Sequence, residues 1–218
     1  MTRTVQNIYE TYRIMPALQM HQLRVAAVAQ TLCNNFTRDV DTHPVVLACL
    51  FHDMGNIIKS DLDTFPEFLE PEGKAHWAMV KADFIKRYGN EQHTATLKVV
   101  REFGLTEQAR ALIDSVAFSK LLGTRDGDSY EQKIVEYSDC RVGPHGVLSL
   151  DGRLQEARNR YAARRSDIPR DAEAFETHIQ AAHDIEQQIF AEATIAPDDI
   201  TEQSVQPLIG ELRGYEVI

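Results

Sequence analysis

The sequence lacks any long apolar run, and this absence is the first limit on what the protein can be. Its longest such run covers residues 45–51, whereas a transmembrane helix needs about 20 consecutive apolar residues. Residues 1–14 also lack the apolar core of a signal peptide. We therefore expect a cytoplasmic protein without a membrane segment.

Basic charge is also scarce. The chain has 23 Lys and Arg against 33 Asp and Glu, which gives a formal net charge of −10. Such an acidic surface repels phosphate backbones, so a broad surface for long nucleic acid or for an anionic membrane is not expected. A small phosphorylated ligand remains compatible, because a bound metal and a few nearby cations can outweigh the overall field.

Paired cysteines and strand patterns are missing as well. Cys33, Cys49 and Cys140 are an odd number without CxxC spacing, which is typical of reduced packing residues in a cytoplasmic protein. Hydrophobic residues make up 43% of the chain, enough for a sizeable core. No convincing strand, internal repeat or low-complexity tract is present.

What the sequence does contain is helical periodicity along its whole length, which predicts an all-α fold. The apolar run at 45–51 indicates a central helix that is packed on all sides. Residues 60–72 are expected to form a long loop with one helical turn, and residues 122–127 a polar turn. The other predicted helices cover 4–14, 16–32, 73–88, 93–103, 106–118, 129–137, 148–164, 171–193 and 201–212.

Four polar residues stand on these predicted helices where one site could gather them. His52 and Asp53 directly follow the central apolar run, and burying them requires a partner or a metal. His21 and Asp139 lie on or at the end of two other helices with apolar faces. Two imidazoles and two carboxylates suit Mn, Fe, Co, Ni or Zn, with Mg as a further alternative. Such an ion could activate a water and polarise the group under attack.

The segments PALQMHQLRVAAVA, LACLFHDMGN and IVEYSDCRVG, which contain these four residues, resemble the HD-domain metal-dependent phosphohydrolases. That family has the ordered pattern H…HD…D on a helical bundle. The resemblance covers about residues 14–153. It implies an HD-type metal-binding domain at 1–153, which holds one divalent metal and hydrolyses a phosphoester, often a nucleotide. Residues 154–218 would add helices that complete the bundle or form a homodimer contact.

The sequence departs from the family pattern at two places. Many members have a lysine where this chain has Asn56, and Lys59, about one helical turn further on, is a partial replacement. Binuclear members have two extra histidines before the last Asp. His93 is a candidate for the first, whereas the segment ALIDSVAFSK, where the second is expected, has no histidine. His76 is available for a second metal site but lies in a different sequence context. We therefore expect one metal ion.

The expected catalytic residues are Asp53, which is also a metal ligand, Lys59 and Arg24. Arg24 lies one turn beyond His21 on the same helix face. Further candidates to hold phosphate are Lys81 and Arg141. Asp61 or Glu67 could orient the water. No spacing rule selects among these residues.

Two other functions stay open. Asn56 in place of the usual lysine is compatible with an inactive HD module that binds metal and nucleotide as a sensor or interaction domain. An HD-fold di-iron oxygenase is less well supported, because it needs more histidine ligands than the sequence offers beyond His76 and His93.

Several conspicuous residues have simpler interpretations. A second HD dipeptide, His183-Asp184, is expected on a solvated helix surface. Trp77, Phe84 and Phe103 are interpreted as core rather than as a base-stacking surface. His145 is expected to be exposed in a loop, with the mouth of a pocket as the alternative. A basic run is expected to be an ion-paired helix end; its members are Arg158, Arg160, Arg164 and Arg165.

Overall fold

The computed structural model describes residues 3–163 and 172–217. Within these ranges the fold is all-α, as predicted, with isolated β-bridges but no strand. The helices are α1 Val5–Thr11, α2 Pro16–Asn34, α3 Thr42–Phe51, α4 Gly73–Tyr88, α5 Gln92–Glu102, α6 Glu107–Ser115, α7 Leu121–Asp126, α8 Tyr130–Asp139, α9 Leu150–Ala163, α10 Ala172–Phe190 and α11 Glu202–Arg213. Short 3-10 helices lie at Asn56–Ile58, Pro66–Leu69, Phe118–Lys120 and Pro197–Asp199.

The centre of the fold is α3, which packs against α2, α6 and α8. Every side chain from Val45 to Phe51 has no solvent exposure. Because neighbours surround this helix, it needs no polar face, and its apolar run is uniform rather than periodic. Truncating a buried leucine such as Leu47 to alanine would cost about 2–5 kcal/mol.

Local signals fix the ends of the helices that carry the polar residues. Pro16 opens α2 at its first position, where the missing N–H costs nothing. Ser129 caps α8 by accepting a hydrogen bond from the backbone N–H of Gln132. These starting points place His21 in the second turn of α2 and make Asp139 the last residue of α8.

A close approach at Gly55 brings α5 onto the turn that follows α3. A Cβ atom at this position would lie 2.3 Å from the carbonyl oxygen of Gln92. The backbone N–H of Gly55 also donates to Thr96 Oγ1 at 2.9 Å. Only glycine permits this contact, which packs α5 directly over the His52-Asp53 turn.

The polar turn predicted at 122–127 is wrong, because residues Leu121–Asp126 form the helix α7. Leu121 and Thr124 are buried, and α7 packs against α8 and α10. So short a helix is unstable alone, and tertiary packing stabilises it despite the polar composition and Gly123. The helix predicted at 106–118 similarly ends at Ser115.

The C-terminal helices pack on the rest of the chain. Helix α10 lies against α7 and α8, and α11 lies against α2. The apolar stripe of α11, formed by Val205, Ile209 and Leu212, is buried in these contacts, and Pro207 lies inside the helix without ending it. None of the helices in the described ranges is long and apolar enough to cross a membrane.

Candidate metal centre

Four side chains from three helices meet beside the end of α3. Nε2 of His21 lies 3.2 Å from Asp139 Oδ1 and 3.9 Å from Asp53 Oδ2. Nε2 of His52 lies 3.4 Å from Asp139 Oδ1 and 3.9 Å from Asp53 Oδ2. The structure thus brings together the four residues that the sequence singled out as metal ligands.

The separations among His21, His52 and Asp53 fit a single ion, and Asp139 Oδ1 lies 3.2 Å and 3.4 Å from the two imidazoles. Nitrogen and oxygen ligands bind Zn²⁺ at about 2.0–2.2 Å, so neighbouring ligand atoms around one such ion lie roughly 3–4 Å apart. His21, His52 and Asp53 each offer a ligand atom, and the three atoms lie within 4.8 Å of one another. In the part of the chain that the structure describes, this is the group of His, Cys, Asp and Glu residues of a size to hold a metal.

The hydrogen bonding of His52 prepares it to be a ligand. Its Nδ1 lies 2.8 Å from the carbonyl oxygen of Cys49. A carbonyl can only accept, so Nδ1 carries a proton, and in the neutral ring the lone pair is on Nε2. Nε2 is buried and has no hydrogen-bond partner among the described residues. A metal ion would satisfy this atom, whose burial is otherwise costly.

Charges within the group shift two pKa values in opposite directions. Burial alone would lower the pKa of His52, but the carboxylates of Asp53 and Asp139 raise it to about 9. Burial would raise the pKa of Asp139, yet the charge of His52 and the neighbouring imidazole of His21 hold it well below its ordinary value. The group therefore favours positive charge at its centre, whether that charge is a proton or a metal.

Buried amide and hydroxyl groups hold the His52-Asp53 turn in place. Gln22, which is fully buried beside His21, accepts a hydrogen bond from the backbone N–H of Asp53 at 3.2 Å. Asn56 donates from Nδ2 to Asp53 Oδ2. The residue that stands where many family members have lysine therefore orients the carboxylate of Asp53, a candidate metal ligand.

Sequence reasoning missed Gln22, Thr96 and Glu136. Each is a buried polar residue on a helix face that is otherwise apolar, and this mismatch is the signal that could have revealed them. Glu136 lies one turn before Asp139 and accepts a hydrogen bond from the backbone N–H of Ala117 at 3.0 Å. Burial and the charge of Asp139 raise the pKa of Glu136 to about 8.

The proposed phosphate-binding cations are not equally available. Arg24 donates from Nε and Nη2 to the carboxylate of Glu202 at 2.8–3.0 Å, while its Nη1 makes no hydrogen bond to a described residue. Lys59 is exposed at the end of a 3-10 helix. Lys81 donates to the carbonyl oxygen of Ser60 at 2.7 Å.

Arg141 is a correction to the sequence interpretation. It is 2% exposed and donates to the Tyr137 hydroxyl and to the carbonyl oxygens of Leu148, Pro197 and Ile200. These hydrogen bonds of its guanidinium join the end of α8 to the segment before α11. A residue in this position cannot reach a phosphate at the surface of the protein.

The candidates for a second metal lie outside the four-residue group. His93 Nε2 is 3.0 Å from Asp114 Oδ1, and the ring of His76 packs edge-on against Trp77 with centroids 4.8 Å apart. Within the described ranges neither histidine joins a metal-sized cluster. Asp61 is exposed and accepts from the backbone N–H of Asp63, and Glu67 is exposed.

The second HD dipeptide is half-buried and ion-paired rather than fully solvated. His183 lies 3.2 Å from Asp151, and Asp184 lies 3.6 Å from Arg125. The described residues form no metal-sized group here, so this dipeptide provides an internal comparison for His52-Asp53.

The remaining interpretations concern core residues and the basic run. Trp77, Phe84 and Phe103 are buried, as predicted. Arg158 pairs with Glu176. The side chains of Arg160, Arg164 and Arg165 lie outside the described residues.

A family model described as HD domain matches residues 18–141. This range is more than half of the chain and contains all four residues of the metal centre. The chain belongs to the HD domain family. HD domains bind divalent metals, and the family consists mostly of metal-dependent hydrolases. Searches of curated proteins and of solved structures found no match to this HD-domain protein.

Proposed function

We propose that this HD-domain protein is a metal-dependent phosphohydrolase that acts on a nucleotide or another small phosphoester. The observation that carries the proposal is the buried Nε2 of His52, which has no hydrogen-bond partner among the described residues, faces two carboxylates and carries the lone pair when the ring is neutral. Membership of the HD domain family supports the same chemistry.

His21, His52, Asp53 and Asp139 would hold one divalent metal, for which Mn, Fe, Co, Ni and Zn are the best candidates. When bound, the ion would supply Lewis acidity and lower the pKa of a nearby water. Held by Asn56, the Asp53 carboxylate would accept a proton from the attacking water. A bond would form between the water oxygen and phosphorus while the bond to the leaving oxygen breaks, and that oxygen would take the proton from Asp53.

Two cations of this chain would stabilise the charge that develops on the phosphoryl group. Arg24 lies on the same face of α2 as His21 and retains the donors on Nη1. Lys59 is exposed and makes no ion pair with a described residue. Each positive charge would lower the barrier by offsetting negative charge on the phosphoryl oxygens.

Release of inorganic phosphate tests this function. The full chain would be assayed with Mn²⁺ on nucleoside monophosphates and on glycerol phosphate, beside the variants Asp53→Asn and Asp184→Asn. We expect phosphate release that Asp53→Asn reduces at least 100-fold and that Asp184→Asn, in the second HD dipeptide, leaves unchanged. Equal activity in all three proteins would contradict the proposal.

A sensor or interaction module is the second candidate. The observation in its favour is that Glu202 offsets the charge of Arg24, while Asn56 provides no cation. A sensor would bind a nucleotide in the presence of metal and release no phosphate from it. The di-iron oxygenase gains no support, because neither His76 nor His93 belongs to a metal-sized group among the described residues.

The proposed compartment is the cytoplasm. Cys33, Cys49 and Cys140 are all unpaired, which supports a reducing environment.

A further inference from the structure

A cleft of about 270 Å³ is lined by residues of α2, of the loop at 60–72 and of the turn after α8. The four residues of the metal centre are not among the described residues that line it. Apolar side chains such as Met20 and Pro144 form part of its lining, and aromatic rings and two carboxylates form another part. The ligand that fits this cleft therefore has to be inferred from the chemistry of the cleft itself.

One wall of the cleft is aromatic. Phe68 and His145 line it, with ring centroids 5.3 Å apart. Behind them Phe65 contacts both rings, at 4.9 Å from Phe68 and 5.6 Å from His145. None of the three rings is fully buried. The face of an aromatic ring carries the negative part of its quadrupole, so this wall attracts apolar groups and cations alike.

The loop also supplies two carboxylates, those of Glu67 and Glu70. Both residues are exposed, and neither makes a hydrogen bond or an ion pair with a residue that the structure describes. They stand three residues apart, on and directly after the 3-10 helix Pro66–Leu69, a spacing at which side chains of such a helix eclipse. Two like charges on one side of a helix repel each other, and a cation bound beside them would relieve that repulsion.

Arg24 places a permanent positive charge on the α2 side of the cleft, but this charge is already offset. The guanidinium donates from Nε and Nη2 to the carboxylate of Glu202 at 2.8–3.0 Å. Glu202 thus balances Arg24, and the carboxylates of Glu67 and Glu70 remain without a counter-charge from the described residues. A ligand with positive charge is therefore favoured over an anion.

We propose that this cleft binds a small organic ammonium ion, with its alkyl groups against Phe68 and its charge balanced by Glu67 and Glu70. A divalent metal is a poorer occupant, because these carboxylates belong to no metal-sized group in the described part of the chain and a phenyl ring offers no ligand atom. The volume lies just below the range of about 300–1,000 Å³ that holds drug-sized ligands, which suits a small ion. The inference does not depend on the proposed function.

Equilibrium binding to the full chain tests the cleft. Calorimetry would compare choline and butylammonium with the uncharged alcohol in which a carbon atom replaces the nitrogen of choline. Choline and this alcohol have the same shape, so their difference in affinity measures the effect of charge alone. We expect both cations to bind, choline at least about tenfold more tightly than the alcohol. Added NaCl should weaken the binding of the cations, because the carboxylates are exposed.

The aromatic wall is tested with Phe68→Leu, which keeps an apolar side chain. We expect choline binding to weaken about 2- to 30-fold, the range that loss of one cation–π contact gives. Phe118→Leu is the matched control, because it removes a half-exposed phenylalanine from another contact with a histidine, His178, at 5.2 Å. Thermal unfolding of both variants would show whether they are folded.

The carboxylates are tested with Glu67→Gln and Glu70→Gln combined in one protein, at exposed positions where folding is not at risk. Choline binding should weaken about 2- to 25-fold, and its dependence on NaCl should largely disappear. The matched control combines Glu72→Gln with Glu211→Gln. It changes the net charge equally, at exposed residues that do not line the cleft.

Three results would overturn the inference: binding of neither cation, equal affinity for choline and the uncharged alcohol, or choline binding that all the variants leave unchanged. Loss of choline binding in Phe68→Leu and in the double glutamate variant, with both controls like the wild type, would support it. Neither result changes with the outcome of the phosphate-release assay, because none of the three probes carries a phosphate.

Discussion

His52 donates from Nδ1 to the carbonyl oxygen of Cys49, three residues earlier on the same buried helix, at 2.8 Å. This bond decides which nitrogen of the imidazole faces Asp53 and Asp139. It connects the apolar run of α3 to the chemistry at its end, because a helix without solvent exposure can hold the ring in one orientation.

Gln22 is expected to position Asp53 for metal binding. Gln22→Leu keeps the size of the side chain but leaves the buried backbone N–H of Asp53 without its acceptor. We expect metal affinity to fall about 10- to 100-fold, as for other residues that orient a ligand. Isothermal titration with Mn²⁺ would measure it. Gln30→Leu, further along α2 and bonded only to Asn34, is the matched control. If both variants bound Mn²⁺ like the wild type, Gln22 would have no positioning role.

Asn56→Lys distinguishes the hydrolase from the sensor. The lysine would keep a donor near Asp53 and add the cation that many family members have at this position. If the wild type is a hydrolase, phosphate release should change by less than about tenfold, because Arg24 and Lys59 already provide positive charge. If the natural chain is a sensor, activity would be absent in the wild type and would appear in the variant. Steady-state kinetics on both proteins would show which case holds.

The ion pair between Arg24 and Glu202 joins α2 to α11 across 178 positions of sequence. Glu202 also accepts from the backbone N–H of Val147 at 2.9 Å. Glu202→Ala removes these partners, and we expect it to lower the free energy of unfolding by about 1–3 kcal/mol. Denaturant titration would measure the change. The variant should also lower KM for phosphoesters, since Arg24 would be freed; a raised KM would argue against a role for Arg24 in binding phosphate.

Glu136 makes stability depend on pH in the metal-free protein. Its pKa is about 8 when folded, well above the ordinary value for a glutamate, because burial and Asp139 disfavour the charged form. A group whose pKa is raised on folding stabilises the protein below its unfolded pKa, and this contribution is lost as pH rises to the folded pKa. We therefore expect Glu136→Gln to be relatively more stable at pH 8 than at pH 5. Thermal unfolding with chelator at both pH values is the measurement. A difference between the proteins that does not vary with pH would contradict it.

Much of this fold follows from local patterns. The helix predicted at 73–88 has the observed bounds, because periodic apolar residues define its face and Gly89, with φ of 99°, ends it. The helix α7 was not predicted from the sequence. Its helical state depends on packing against α8 and α10, which its own residues do not reveal.

Part of the candidate site could likewise be predicted from the sequence, and part could not. His21, His52, Asp53 and Asp139 were predicted as a group because each stands at a characteristic place on a helix. The partners of Arg24 and Arg141 could not be predicted, since they come from distant parts of the chain. The contact between the rings of Phe68 and His145 was likewise hidden, because a loop and a turn meet only in the folded protein.

Metal content tests the central claim most directly. Elemental analysis would be carried out on the full chain purified without chelator, and on Asp53→Ala and His183→Ala. The expected result is about one equivalent of a divalent transition metal in the wild type and in His183→Ala, and a loss of most of it in Asp53→Ala. The contrary result, in which none of the three proteins contains or takes up metal, would leave His52 and Asp53 as a structural cap of α3.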